Sequence, residues 1–245
     1  MKLSIVIPVY NEKDTLEEIF RLVELTPYTK EIIAVDDAST DGSRDILRRL
    51  AEEYEGVRVF YHEHNQGKGA ALRTGFAQVT GDVVVIQDAD LEYRPDDYPA
   101  LLEPIQQDVA DVVYGSRMVG GRPHRVLFFW HYMGNRCVTT LSNIFTNLNL
   151  SDMEVGYKVF KAEVIKGIQI KSGRFGVEPE LTAKIAKGGW RIYEVPIQYH
   201  GRDYAHGKKI TWRDGIAAVC HIIQKRLPAV PRHQRQRRGD QVQVR

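Results

Sequence analysis

Short apolar runs alternate with amphipathic stretches along the first half of the chain. Leu3–Pro8, Ile32–Asp36, Val57–Tyr61, Val83–Gln87 and Asp111–Tyr114 have the length and β-branched content of buried strands. Between them apolar residues recur at helical spacing. Asn11–Leu25 places Leu16, Ile19, Phe20 and Val23 on one face, and Asp41–Tyr54 does the same with Ile46, Leu47, Leu50 and Tyr54. Gly67–Val79 and Pro95–Gln107 read as two further helices, the second opened by its proline. Strands alternating with helices predict an α/β fold built on a mostly parallel, doubly wound sheet with right-handed crossovers.

Three strand ends are polar in a coordinated way. Gln87-Asp88-Ala89-Asp90-Leu91-Glu92 follows directly on the fourth apolar run, and ligands of open α/β sheets gather at the carboxyl ends of strands. Asp88, Asp90 and Glu92 offer hard oxygens suited to Mg²⁺ or Mn²⁺, with a nucleotide diphosphate as that metal's natural partner. A solvated acidic turn closed by Pro95 is the plainer reading of the same residues. The other two ends are Pro8-Val9-Tyr10-Asn11-Glu12 and Val35-Asp36-Asp37-Ala38-Ser39. Asn11 and Ser39 suit helix caps, but capping does not explain Asp36 and Asp37 on the same edge as Asp88 and Asp90. Such carboxylates repel unless a cation or a donor-rich ligand joins them. Asp37 is read as an acceptor for a ribose or base edge, and Tyr10 as a ring against the base. Asn65-Gln66-Gly67-Lys68-Gly69 opens a helix with amides and an ammonium suited to an anion; a tight turn that lets the helix pack closely explains it equally well. The P-loop and dinucleotide-binding glycine patterns are both missing from the sequence, which disfavours those two classes.

The 245 residues are 43% hydrophobic, enough for one large domain. Cys137 and Cys220 make no disulfide framework, so a reducing, cytoplasmic setting is expected. The start has no signal-peptide pattern, and no apolar run approaches the roughly 18 residues of a bilayer span. Charge is uneven: residues 225–245 hold seven of the 34 Lys and Arg but one of the 32 acidic residues, leaving 27 basic against 31 acidic before them. From Val126 to Leu148 apolar residues recur at helical spacing beside Arg122, Arg125 and Arg136, the pattern of an amphipathic helix pair lying on a membrane and receiving a lipid tail. A helix packed under the sheet gives a similar stripe, although Phe128-Phe129-Trp130 argues against a purely internal role. A last helix, Thr211–Leu227, and the basic tail fit an anionic leaflet, or the tail is disordered. Asp152 suits either the acceptor side or an ordinary loop cap. Glu178 and Glu180 suit a catalytic base, or simply the positive end of a helix.

Taken together, IVIPVYNE, VDDASTDGS, NQGKGAALRTGF, QDADLEYRP, YGSR and FGVEPELTAKIAKGGWRIYEVPIQYHGR resemble the family 2 glycosyltransferases of GT-A fold over about residues 1–226. The likeness is greatest to the dolichyl-phosphate mannosyltransferase-like, or polyprenyl-phosphate glycosyltransferase, branch. It implies a Rossmann-like GT-A domain over residues 1–227, with a nucleotide-sugar half at 1–115, an acceptor half at 116–227 carrying amphipathic interface helices, and a basic tail at 228–245. By the same resemblance Pro8, Tyr10, Glu12, Val35 and Asp37 hold the nucleotide, and Asp88, Ala89 and Asp90 meet its diphosphate and metal. Arg117, Arg202 and Lys208 hold phosphate groups of acceptor or donor. Glu92, where this branch often has Gln, is a third metal contact. The implied reaction is inverting transfer of a hexose from a GDP- or UDP-linked sugar to a polyprenyl or dolichyl phosphate, at the cytoplasmic face of an anionic membrane surface and with no nucleic-acid partner. Asp90, Arg117 and Glu178 are the expected catalytic group, with Glu178 positioning rather than taking a proton, because an acceptor phosphate is already ionised. Two other readings stay open. One is a soluble or glycan hydroxyl acceptor with Glu178 or Glu180 as base. The other is a catalytically silent nucleotide-binding module, against which the intact Asp88 and Asp90 speak.

Overall fold

The computed structural model describes residues 1–121, 126, 128–173 and 176–201. Arg202, Lys208, the expected helix at 211–227 and the tail at 228–245 lie outside the described residues, as do Arg122 and Arg125. The chain runs β1 (Leu3–Val9), α1 (Leu16–Glu24), β2 (Lys30–Asp36), α2 (Ser43–Glu53), β3 (Val57–Tyr61), α3 (Lys68–Phe76) and β4 (Val83–Ile86). A 3₁₀ turn at Pro95–Asp97 leads into α4 (Tyr98–Gln106), followed by β5 (Val112–Ser116) and α5 (Phe129–Thr146). The described part closes with β6 (Lys158–Lys161), α6 (Ala162–Lys166), α7 (Val177–Gly188) and β7 (Ile192–Pro196).

These strands form one seven-stranded sheet in the order β3-β2-β1-β4-β6-β5-β7. Strands β1, β2 and β4 are buried on both faces, which is why they read as unbroken apolar runs. Helix α3 lies so close to the sheet that a Cβ on Gly75 would come within 2.4 Å of Val6 Cγ1. The helices begin later than their apolar periodicity predicts. Asn11, with φ 53°, turns the chain before α1, and the Asp41 carboxylate accepts from both the backbone N–H and the hydroxyl of Ser43 at the start of α2.

The alternating pattern places β5 beside β4, but β6 lies between them. It pairs antiparallel with both, while β7 runs parallel to β5. The strand is four residues long and begins and ends with lysine, so it carries almost no apolar signal of its own. Its reversed direction brings its amino end, and the segment 152–157 before it, to the edge where the other strands end. The expected amphipathic pair at 126–148 is a single helix, α5, whose buried positions are Val138, Thr139 and Ser142.

A buried carboxylate joins the other edge. Glu31 on β2 is 6% exposed and accepts from Ser4 Oγ on β1, from both Thr80 N and Thr80 Oγ1 before β4, and from Arg58 Nη2 on β3. Burial pushes its carboxyl up, but the Ser4 and Thr80 donors outweigh that and hold it down, to about 2 against an ordinary 4.5. A carboxyl depressed in the folded chain adds stability that is complete above its unfolded value and is lost as pH falls through the folded one. Unfolding free energy from urea melts should therefore decline between about pH 4.5 and about pH 2. Glu31→Gln should remove on the order of 3 kcal/mol at pH 7 and flatten that decline.

Candidate active site

The ends of β1, β2 and β4 are laced together at the carboxyl edge. Ser39 Oγ accepts from Asn11 N and Ser43 Oγ from Glu12 N, each at 3.0 Å. Thr15 donates to the Ala89 carbonyl at 2.8 Å and lies 3.3 Å from Glu12 Oε2, so the loop carrying Tyr10 and Glu12 is fixed against the acidic turn. Tyr10 is exposed on this edge, as a ring facing a base requires. Pro8 is half-buried in β1. Val35 is fully buried, with its side chain packed in the sheet at β2.

Protein donors, rather than a bound cation, account for two of the four aspartates. Asp36 accepts from Arg44 Nε at 2.7 Å and from Ser39 N. Asp37 accepts from Gln66 N and Gly67 N at 2.9 and 2.7 Å, and its Oδ1 lies 2.7 Å from His62 Nδ1. Asp37 is therefore committed to closing the 65–67 turn, a role that spacing alone does not reveal; the expected ribose or base acceptor already has partners on both oxygens.

That turn presents Lys68 to the acidic group. The ammonium donates to Asp88 Oδ1 at 2.7 Å and lies 3.4 Å from Glu178 Oε1 in the first turn of α7. Burial alone would pull Lys68 down, but the Asp88 and Glu178 carboxylates hold it well above the usual range. Gly156 lies hard against Asp88: a Cβ there would fall 2.1 Å from Oδ2. Asp90 Oδ1 accepts from Glu92 N at 3.0 Å. Glu92 itself turns away, accepting from the Tyr199 hydroxyl at 3.2 Å and, through its carbonyl, from His200 N. Among the described residues no three His, Cys, Asp or Glu side chains are grouped to hold a metal, so the expected third ligand from Glu92 is not in place. Asp88 and Asp90 remain as hard donors fit for a divalent cation that draws its other ligands from a bound diphosphate.

Across the edge, β5 and the segment before β6 supply a fixed cation. Arg117 donates through Nε and Nη2 to Asp152 Oδ2 and Oδ1 at 2.7 and 2.8 Å. Asp152 is fully buried, accepts also from Asn135 Nδ2 on α5, and is held below its usual range by the Arg117 guanidinium against the upward push of burial. The Tyr199 ring lies under the guanidinium, 5.3 Å from its carbon. Arg117 thus has one edge already bonded to Asp152, and the phosphate contact expected of it falls to its remaining edge. Glu180 is 1% exposed and accepts from Lys171 N, Ser172 N and Lys184 Nζ, so it braces the strap before α7 and is not placed to act as a base. Sequence reasoning missed Glu154 and Lys158. Burial pushes the Glu154 carboxyl well up, with Glu178 adding to the rise, and pulls the Lys158 ammonium down. Gly156 between them was the available signal.

The Glycosyl transferase family 2 profile matches residues 4–168. The chain belongs to this family. It is 33% identical over 221 residues to the undecaprenyl-phosphate mannosyltransferase of Micrococcus luteus, covering 85% of this chain and 87% of that one. It is 30% identical over 219 residues to the dolichol-phosphate mannosyltransferase of Pyrococcus furiosus, covering 86% of this chain and 61% of the relative, so it spans about three fifths of that protein. Glucosyl-3-phosphoglycerate synthase from Mycobacterium tuberculosis, solved with Mn²⁺, UDP and phosphoglyceric acid, superposes with a TM-score of 0.69 at 20% identity over 91% of this chain and 78% of that one. The fold is thus the expected GT-A arrangement, and the protein is a glycosyltransferase. In this family 2 enzyme Gly156→Ala should displace the Asp88 carboxylate, the flexible member of the contact, with little change in melting temperature. Calorimetry should show Mn²⁺-dependent binding of UDP or GDP weakened about tenfold or more.

Proposed function

We propose that this glycosyltransferase moves a hexose from a GDP- or UDP-linked sugar to a polyprenyl or dolichyl phosphate, with inversion, at the cytoplasmic face of a membrane. The observation that carries this reading is the pairing of opposite charges on one sheet edge: Asp88 and Asp90 at one end and Arg117, held by Asp152, at the other. The names of the Micrococcus and Pyrococcus relatives support a lipid-phosphate acceptor, and neighbours of the same fold were crystallised with UDP and Mn²⁺ or Mg²⁺. When bound, Mg²⁺ or Mn²⁺ on Asp88 and Asp90 would neutralise the leaving diphosphate.

The residues of the chain supply the rest. Tyr10 faces the base, and the loop carrying Glu12 is held to the acidic turn by Thr15. Arg117 offers its free edge and its charge to the acceptor phosphate, which is already ionised and needs no base. Glu178, drawn to the Lys68 ammonium, positions that cation rather than taking a proton. Arg202 and Lys208 belong to the same reading as further phosphate contacts. No described helix is long and apolar enough to cross a membrane, but the start of α5 turns large side chains outward: Phe129 is 62% and Trp130 80% exposed. This suits an interfacial helix, and the basic tail at 228–245 suits the same anionic surface.

Removing Arg117 outright would strand the buried Asp152 carboxylate and weaken the fold, so Arg117→Lys is the cleaner probe. With a panel of nucleotide sugars, short polyprenyl phosphates and Mn²⁺, it should raise the acceptor KM about tenfold and leave donor affinity unchanged. Glu178→Gln should cost less. If Glu178→Gln abolishes transfer while Arg117→Lys is mild, a hydroxyl acceptor replaces the lipid phosphate. A double variant, Phe129→Ser with Trp130→Ser, should reduce co-sedimentation with phosphatidylglycerol vesicles about tenfold or more while leaving the melting temperature unchanged. Undiminished sedimentation would remove α5 from the membrane.

A further inference from the structure

The five residues 152–156 run from one end of the site to the other. Asp152 grips Arg117, while Gly156 lies against Asp88. Glu154 is the midpoint of this span. Among the described residues its buried Oε1 has no hydrogen-bond partner, a condition that costs folding free energy and is rare without a functional reason. The nearby ammonium does not relieve it: Lys158 Nζ donates to the Val155 carbonyl and lies over the Tyr114 ring, 5.0 Å from its centre.

If the donor diphosphate rests at Asp88 and the acceptor phosphate at Arg117, in-line displacement puts the transferred sugar between them, over the middle of that span. We infer that Glu154 determines specificity for the transferred sugar, its unpartnered carboxyl oxygen hydrogen-bonding a ring hydroxyl of the hexose. This rests on the proposed function and adds to it the residue that recognises the sugar. Burial raises the Glu154 carboxyl towards its neutral form, and a neutral carboxyl, like a hydroxyl, both donates and accepts.

The test compares each bare nucleotide with its hexose conjugate. Calorimetry with Mn²⁺ and UDP, GDP, UDP-glucose and GDP-mannose separates nucleotide contacts from sugar contacts. Glu154→Leu should weaken the conjugate that the wild type binds best by about tenfold, while the bare nucleotide changes by less than about twofold. Glu154→Gln, which keeps the shape and a hydrogen-bonding group, should fall between. Melting temperature should hold or rise in Glu154→Leu, because an unsatisfied buried oxygen is gone and Lys158 Nζ keeps its bond to the Val155 carbonyl. Equal losses for nucleotide and conjugate, or no loss for the conjugate, overturn the assignment while leaving the proposed function standing. A wild type that binds none of the four overturns the proposed function and this inference with it.

Discussion

A single antiparallel strand in an otherwise parallel sheet has its amino end where all its neighbours have their carboxyl ends. Strand β6 holds that place between β4 and β5, and the two halves of the site depend on it. Without it, β4 and β5 would pair directly, and the acidic turn after β4 would stand closer to the Arg117 guanidinium. With it, residues 152–158 are laid along the edge as a spacer that holds charge of its own. The spacer has a close contact at each end, the Arg117–Asp152 fork on one side and the approach of Gly156 to Asp88 on the other.

The electrostatics follow from that arrangement. Acidic side chains crowd one edge, and the fold manages several of them by assigning donors individually rather than by pooling them on one cation. Asp36 has Arg44, Asp37 has the amides of the 65–67 turn and His62, Asp152 has Arg117, and Glu180 has the 171–172 amides. Asp88 is different in kind, since its partner is a lysine that reaches in from a helix start and touches Glu178 as well. An ammonium on a long flexible stem yields its place to a divalent cation more readily than a forked guanidinium does. The acidic turn is thus held by lysine, and Asp152 by arginine.

Much of this was legible in the sequence. The strands β1, β2, β4 and β5 stand out because their apolar runs are buried on both faces, and the acidic turn after β4 stands out because it follows such a run without a break. The resemblance carried by the ordered motifs matches the family and fold. Strand β6 escaped because Lys158 and Lys161 disguise a buried strand as a surface segment. The roles of Asp37 and Glu92 escaped for a different reason. Spacing shows that a carboxylate lies near a strand end, but whether its oxygens face outward is decided by amides and hydroxyls from distant segments, Gln66 and Gly67 in one case and Tyr199 in the other.

The hydrogen bond from Asn135 to Asp152 gives α5 a second meaning. The helix shows aromatic rings to the outside at its start and, a turn later, touches the residue that orients Arg117. Thr139, one further turn along, meets the Met153 amide. If events at the two ends of this helix are coupled, each alters the other by the same factor. On the proposed function, a favourable coupling of this kind would let the enzyme hold its lipid substrate more firmly while resting on a bilayer and linger there longer while holding it, so that successive turnovers would be confined to a two-dimensional search along one membrane.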